Sequence, residues 1–208
     1  MSKDTGKAVA LYLSKAAATA VQAVEVPSMQ AALEHAISVC EQKEFCKLLL
    51  SETSGGKSLD PDELPRATVK TIAAPGLPDD IFAKLKKMAE KKGFEIITEG
   101  LRSRMAGIDV TVSIAEFGLG DTATCCMTTN DENVHLAAMI CESHVIILSK
   151  SKMYMNTDEA ADELQALTET DAAYTAFITG PSRTADIERV LALGVHGPLE
   201  MHVALLEA

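Results

Sequence analysis

From Thr68 onward the chain alternates short apolar runs with amphipathic stretches of helical length, and this alternation restricts the fold more than any other feature of the sequence. An apolar segment to Ala74 gives way to a Pro-Gly-Leu-Pro turn. Asp79-Asp80 then opens a Lys-rich amphipathic helix that runs to Lys92 and ends at Gly93. Phe94 to Thr98 has strand length and β-branched content. Strand, helix, strand in that order is the βαβ unit, which implies parallel pairing. The pattern continues with strands at Val110–Ile114, Ala123–Thr128 and His144–Leu148, and with a helix over about Glu132–Cys141. A helix from Asp158 to about Leu167, a strand ending at Ile178 and a last strand at Met201–Leu206 complete the chain. Several runs are apolar throughout, as expected where helices cover both faces of a sheet. The expected fold class is α/β with a mostly parallel sheet.

Upstream, residues from about Thr5 to Val24 are strong helix formers with no interior Pro and predict one continuous helix. Pro27-Ser28 punctuates the chain. Met29, Leu33, Ile37 and Cys40 then recur at helical spacing and predict a second helix to about Glu44. Cys46–Leu50 is too short to separate a buried strand from a helix end. Ser51–Pro65, with Gly55-Gly56 and Asp60-Pro61, reads as a flexible connection. Gly55-Gly-Lys-Ser58 is not a phosphate loop, because the earlier Gly is missing and no apolar helix follows. At 208 residues the chain suits one well-buried core. The expected organisation is an N-terminal helical extension and linker over residues 1–66, packed on an α/β domain over residues 67–208.

Charge and cysteine content narrow the partners. Nineteen basic against 30 acidic residues give a net charge of −11, which repels nucleic acid and anionic membranes at long range. A small anion is still admissible, because a local Arg or helix N-terminus outweighs a screened distant field. The five Cys, at 40, 46, 125, 126 and 141, form no Cys-x-x-Cys pair and cannot all pair within one chain, so reduced thiols in a cytoplasm are expected. The N-terminus lacks a basic region leading into an apolar core and cleavage site, so secretion has no support. Ala8–Val26 is a poor membrane span, interrupted by Lys15, Gln22 and Glu25.

Two polar constellations stand between the apolar runs. In the first, a strand ending at Ile178-Thr179 meets Gly180-Pro181, and Ser182, Arg183, Thr184, Asp186 and Glu188 follow. If Phe177-Ile-Thr179 is a strand, the turn lies at its carboxyl end, where open α/β sheets bind ligands. Ser182 or Thr184 can cap the turn after it, and Arg183 can grip a carboxylate or phosphate. The bland alternative is that Arg183 pairs with Asp186 or Glu188 and the segment only caps a helix. His196, in Gly-Val-His-Gly-Pro, is either a turn residue or a base that needs an orienting partner.

The second constellation is Ala115-Glu-Phe-Gly-Leu-Gly-Asp-Thr-Ala-Thr124. Its two Gly and two Thr suit a tight loop that sets Glu116 or Asp121 beside backbone donors as nucleophile, base or anchor. A solvated or capping Asp is the plainer reading. Other polar residues point to structure. Cys125-Cys126 falls in an expected buried strand with one side chain on each face, which predicts core packing. His35, His135, His144 and His202 have no metal-ligand spacing, so no metal site is expected. Lys84–Lys92 reads as a solvated helix face.

Together the two constellations resemble the lactate-utilisation protein C branch of the LUD (lactate utilisation) domain family. That family carries Phe-Ile-x-Gly-Pro-Ser-(Arg/Lys)-Thr-Ala-Asp-Ile-Glu, then Gly-x-His-Gly-Pro and Leu-His-Val. Phe177–Glu188, Gly194–Pro198 and Met201–Val203 match them almost position by position, and the resemblance extends over about residues 68–206. The family's earlier loop, Ala-(Glu/Asp)-Thr-Gly-Thr, is matched by Gly120–Thr124, with Gly120 in place of Ala and Ala123 in place of Gly. If that Gly serves a positive φ, Ala costs about 1 kcal/mol there.

The resemblance implies a three-layer α/β/α Rossmann-like sandwich like the NagB/RpiA/CoA-transferase group. It implies a part in oxidising L-lactate to pyruvate beside iron–sulfur partner proteins. This chain has no ferredoxin-type cysteine cluster and no Gly-x-Gly-x-x-Gly, so it is expected to hold no cluster and no nicotinamide cofactor. On this reading Gly180, Ser182, Arg183, Thr184, Asp186 and His196 bind a small anionic metabolite or cofactor at the carboxyl edge of the sheet. Thr122 and Thr124 approach from the facing loop, with Asp121 or Glu116 as the catalytic carboxylate. The alternatives are a stand-alone transferase or isomerase using one of those carboxylates, and a non-catalytic assembly or regulatory subunit for the iron–sulfur proteins. The oligomeric state stays open, a homo-oligomer included.

Overall fold

The computed structural model describes residues 4–46, 67–104, 107–169, 174–184, 192–194 and 196–207. Its centre is a six-stranded sheet made of β1 (Val21–Val26), β2 (Thr71–Ala73), β3 (Glu95–Ile97), β4 (Ile108–Ile114), β7 (Cys141–Ser149) and β12 (Glu200–Leu206). The spatial order is β1-β12-β7-β4-β2-β3 and every pairing is parallel. Parallel strands need crossovers and both faces covered, and β7 shows the consequence. Its Val145 and Ile147 face one core while Ile146 and Leu148 face the other.

On the first face lie α2 (Met29–Gln42) and α3 (Asp79–Lys91). Leu33, Ala36, Ile37 and Cys40 of α2 and Leu85 and Ala89 of α3 pack against Val110, Val112, Val145 and Ile147. These are the apolar positions that the helical spacing marks, and Ser28 caps α2 by accepting from the Ala31 N–H at 3.2 Å. Buried Lys70 closes the other end of α2, its Nζ donating to the carbonyls of Cys40, Glu41 and Lys43. Asp109, also buried, accepts from the backbone N–H groups of Cys46 and Thr71 and pairs with Lys43.

The second face is covered by α1 (Thr5–Ala16), α4 (Glu132–Ile140) and a second sheet. That sheet contains β5 (Phe117–Leu119), β6 (Thr124–Thr129), β8 (Met153–Tyr154) and β9 (Tyr174–Ile178), in the order β8-β5-β6-β9. β5 and β9 each run antiparallel to β6. Beyond it, α5 (Ala161–Thr168) sets Leu164 and Leu167 against the Phe117 cluster. A two-stranded ribbon of β10 (Arg183–Thr184) and β11 (Ala192–Leu193) completes the described chain. Among the described residues no helix is long and apolar enough to cross a membrane.

Two expectations need correction. The helix expected to run to Val24 stops at Ala16, and a 3-10 turn over Ala17–Thr19 leads into β1. Ala20, in the left-handed region at φ 58°, breaks the helix, and the β-branched Val21, Val24 and Val26 then pair with β12. Local helix propensity is worth tenths of a kcal/mol per residue, and a sheet edge with six paired positions outweighs it. Residues 1–66 therefore supply a strand of the main sheet as well as helices. The second correction concerns β9, which lies in the antiparallel sheet and not in the parallel one. The segments at 47–66 and 185–191, including the supposed linker, Asp186 and Glu188, lie outside the described residues.

Ala20 is exposed, so its left-handed backbone has no packing to offset the strain, which is about 1–2 kcal/mol for a residue with a Cβ. Ala20→Gly is therefore expected to raise the thermal midpoint by about 2–4 °C. At Ala123, with φ 52° and no exposed surface, the lost methyl offsets the relief, and Ala123→Gly should leave the midpoint nearly unchanged. Thermal denaturation of both variants checks the pair.

Candidate functional site

A cavity of about 570 Å³ lies between β9 and α4. Its lining includes Thr179, Gly180, Ser182 and Arg183 from the segment after β9, and His196, Gly197 and Pro198 from the segment before β12. Ser182 ties the two segments together. Its N–H donates to the Pro198 carbonyl at 2.9 Å, its carbonyl accepts from Gly194 N–H at 3.0 Å, and its Oγ accepts from His196 N–H at 3.2 Å. The structure thus brings Gly180, Ser182, Arg183 and His196 to one cavity. Thr184 is engaged in the β10–β11 ribbon and is not among the described lining residues.

The facing loop reaches this cavity through hydroxyls. Thr122 Oγ1 donates to the Asp121 carboxylate at 3.3 Å, and Thr124 Oγ1 donates to Thr122 Oγ1 at 2.8 Å. Thr124 also lies 2.6 Å from Thr179 Oγ1. Each hydroxyl has one proton to give, so the chain runs from Thr179 to Thr124 to Thr122 to Asp121. Thr179 is left presenting lone pairs at the cavity. Thr122 and Thr124 therefore act behind the wall, and Asp121, exposed on the β5–β6 turn, is not among the described lining residues.

Glycine is required where this region meets the N-terminal segment. Gly180, at φ 75°, sits so close to the turn before β1 that a Cβ there would lie 2.1 Å from the Thr19 carbonyl oxygen. Arg183 Nη2 donates to that same oxygen at 3.4 Å. Gly120 is similarly tight, and a Cβ would lie 2.7 Å from the Ala8 carbonyl oxygen of α1. The neighbouring Ala123 has φ 52°, so the position where the family pattern has Gly does require a left-handed backbone here.

The position of the cavity corrects the sequence-based expectation. Gly180 abuts Thr19, just before β1, and Ser182 bonds Pro198, just before β12. Leu199 N–H donates to Glu142 near the start of β7. The cavity therefore lies at the amino ends of these parallel strands, because β9 belongs to the other sheet.

The carboxyl edge has its own crevice, of about 230 Å³, lined by Pro75–Pro78 after β2, Ser113–Glu116 at the end of β4, and Met127, Thr128, Thr129 and Val134. Here the chain leaves β2 toward β3 on one side and β4 toward β7 on the other, the topological switch point of an open sheet. Glu116 lies in this crevice, apart from Asp121 and Arg183. Ser113 Oγ is 2.5 Å from Nε2 of the fully buried His144, whose Nδ1 has no partner among the described residues. None of its described lining residues is basic. Ser113 and His144 carry no local pattern that singles them out in the sequence.

Cys125 and Cys126 face opposite cores, and burial pushes both thiols up to about 12, which makes them packing residues and poor nucleophiles. All five cysteines are free and buried.

The LUD domain model matches residues 9–206. The chain belongs to the LUD domain family. The match takes in α1 and β1, which extends the relationship beyond residues 68–206. Lactate utilization protein C of an Exiguobacterium strain is 28% identical over 112 residues, covering 52% of this chain and 48% of that protein. An uncharacterized protein of Neisseria meningitidis serogroup B is 35% identical over 95 residues, covering 45% of this chain and 40% of that protein. The chain spans about half the length of these curated relatives. The crystal structure of a DUF162 family protein from Deinococcus radiodurans superposes with a TM-score of 0.61 at 10% identity, over 98% of both chains, and shows the same fold.

Burial pushes the His144 imidazole down to about 4, below the ordinary value near 6.5. Between the two values the unfolded chain binds a proton that the folded chain does not, so stability falls as pH drops through that window. The Glu95 carboxyl, lowered by Arg104, loses its contribution at lower pH, below its ordinary range. Urea unfolding at pH 7 and pH 5 is expected to show His144→Gln losing about 2 kcal/mol less stability than the parent over that interval.

Proposed function

We propose that this LUD-domain protein is a component of a cytoplasmic L-lactate utilisation system, in which lactate is oxidised to pyruvate and the iron–sulfur clusters reside on partner proteins. The observation that carries the reading is the run of relatives named lactate utilization protein C, joined to a family match over nearly the whole chain. In this reading the cavity between β9 and α4 binds a small anion. Arg183 offers a fork of charged donors, Thr179 an acceptor for a ligand hydroxyl, and His196 an exposed imidazole at the rim. A charge-assisted contact to Arg183 contributes roughly 1.5–3 kcal/mol, enough to offset the long-range repulsion of an acidic chain once salt has screened it.

Differential scanning fluorimetry with L-lactate, pyruvate and ribose 5-phosphate tests the site. At least one of these anions should raise the midpoint of the parent, and Arg183→Gln should lose about ten-fold or more in affinity for it. Unchanged shifts in the variant would remove the anion from this cavity.

A second reading has its own observation, the switch-point crevice with Glu116 beside the Ser113–His144 pair. There the chain is an enzyme in its own right, a transferase or isomerase in which the Glu116 carboxylate reacts or takes a proton. Turnover by the purified chain alone, lost in Glu116→Gln, supports it. Turnover that survives Glu116→Gln sinks it.

A further inference from the structure

The cavity between β9 and α4 is far larger than a three-carbon acid needs. A volume of about 570 Å³ falls in the range of roughly 300–1,000 Å³ that encloses cofactor-sized and drug-sized ligands. Its walls also differ in chemistry from one end to the other. At the Arg183 end they are polar, with Thr179, Ser182 and His196. At the Tyr174 end they carry the Tyr174 and His135 rings with Ala176 and Met139.

Strand alternation produces that wall. Tyr174, Ala176 and Ile178 share one face of β9, and Met127 and Thr129 stand opposite Ala176 and Tyr174 on β6. Phe177 points the other way, edge-on to Phe117. The Tyr174 ring lies 4.3 Å from the His135 ring, centroid to centroid, and is 60% exposed. The exposed face of this ring lines the cavity.

We infer that this cavity takes a mononucleotide: a flat heteroaromatic ring joined through a hydroxylated sugar to a phosphate. The inference rests on the anion reading given above and deepens it. The ring lies against Tyr174. A sugar hydroxyl donates to Thr179, whose own proton is committed to Thr124, and Arg183 and His196 meet the phosphate. The spacing suits such a molecule. Tyr174 and Ile178 are four residues apart on an extended strand, about 13 Å at roughly 3.3 Å per residue, and the Arg183 segment follows directly. Lactate reaches only one end of that span. The expectation that the chain holds no nicotinamide cofactor is unaffected, since a single nucleotide fills the cavity and no dinucleotide fingerprint is involved.

Titration of the full chain with AMP, ribose 5-phosphate, inorganic phosphate and L-lactate, read by calorimetry, tests this. AMP should bind at least about ten-fold more tightly than ribose 5-phosphate, the gain that base–aromatic stacking provides. Tyr174→Ala, at an exposed site, should erase that gain and leave ribose 5-phosphate unchanged, while Tyr174→Phe should keep it. Arg183→Gln should weaken both ligands. If AMP and ribose 5-phosphate bind equally and both depend on Arg183, the ring site is overturned while the anion reading stands. If L-lactate binds more tightly than AMP, the nucleotide assignment is wrong. If no phosphate compound binds in an Arg183-dependent way, the nucleotide assignment is overturned, and Arg183-dependent binding of L-lactate decides whether the anion reading falls with it.

Discussion

The pairing of β12 with β1 on one side and β7 on the other is the contact on which the rest of the structure depends. It joins the two ends of the chain in one sheet, with six paired positions to β1 and seven to β7. Non-local pairing of this kind costs loop-closure entropy and is repaid only when both faces are covered. The covering is complete at Met201, Val203, Ala204 and Leu205, none of which has exposed surface. Since Pro198 and Leu199 immediately precede this strand, its register also fixes where His196 and Ser182 stand.

Much of this was readable from local pattern. The helices α2, α3 and α4 and the strands β3, β4, β6, β7 and β12 lie within a few residues of where periodicity, Gly93 and the Pro-rich turns put them, because those signals are short-range. What could not be read was partnership. The Gly180-Pro181 turn looks the same after a parallel or an antiparallel strand, so local pattern places β9 in the parallel sheet and its turn at the carboxyl edge, whereas β9 pairs with β6 and the turn lies at the amino edge. Val21–Val26 sits behind an Ala-rich helix and is made a strand by β12, some 180 residues away. Phe117–Leu119 is too short to register as a strand, and it exists because β6 and β8 flank it. The family pattern singles out Ser182, Arg183 and His196, which line one cavity, where physical reading of the segment leaves two alternatives. It gave no sign of Tyr174 or His135, whose positions depend on β9 facing α4.

The two edges of the sheet offer opposite electrostatics. The amino-edge cavity has Arg183 and a wall of hydroxyls, while the carboxyl-edge crevice has Glu116, Ser113 and no basic group among its described lining residues. At about 4 Å and an effective dielectric near 20, a unit charge of the wrong sign costs about 4 kcal/mol. One anionic ligand therefore does not serve both places, and the buried Ser113–His144 pair has to be explained by the crevice or by packing. His144 stays neutral over most of the physiological range, its Nε2 committed to Ser113. That makes it a neutral hydrogen-bonding partner for the Ser113 hydroxyl.

The N-terminal segment shapes both polar loops. Tyr12 of α1 is fully buried, with its hydroxyl 3.3 Å from Cys125 Sγ on β6. The Ala8 carbonyl leaves no room for a side chain at position 120, and the Thr19 carbonyl leaves none at position 180 while accepting a hydrogen bond from Arg183. Both polar loops thus rest on backbone carbonyls of one helix and the turn that ends it. This accounts for Gly120 standing where the family pattern has Ala: at 2.7 Å even a methyl group collides with the backbone of α1, and backbone, unlike the end of a flexible side chain, cannot swing aside. The same argument explains why the turn needs Ala20 in a left-handed conformation. The chain has to leave α1 and enter β1 within four residues, and the reversal places the Thr19 carbonyl against Gly180 and Arg183.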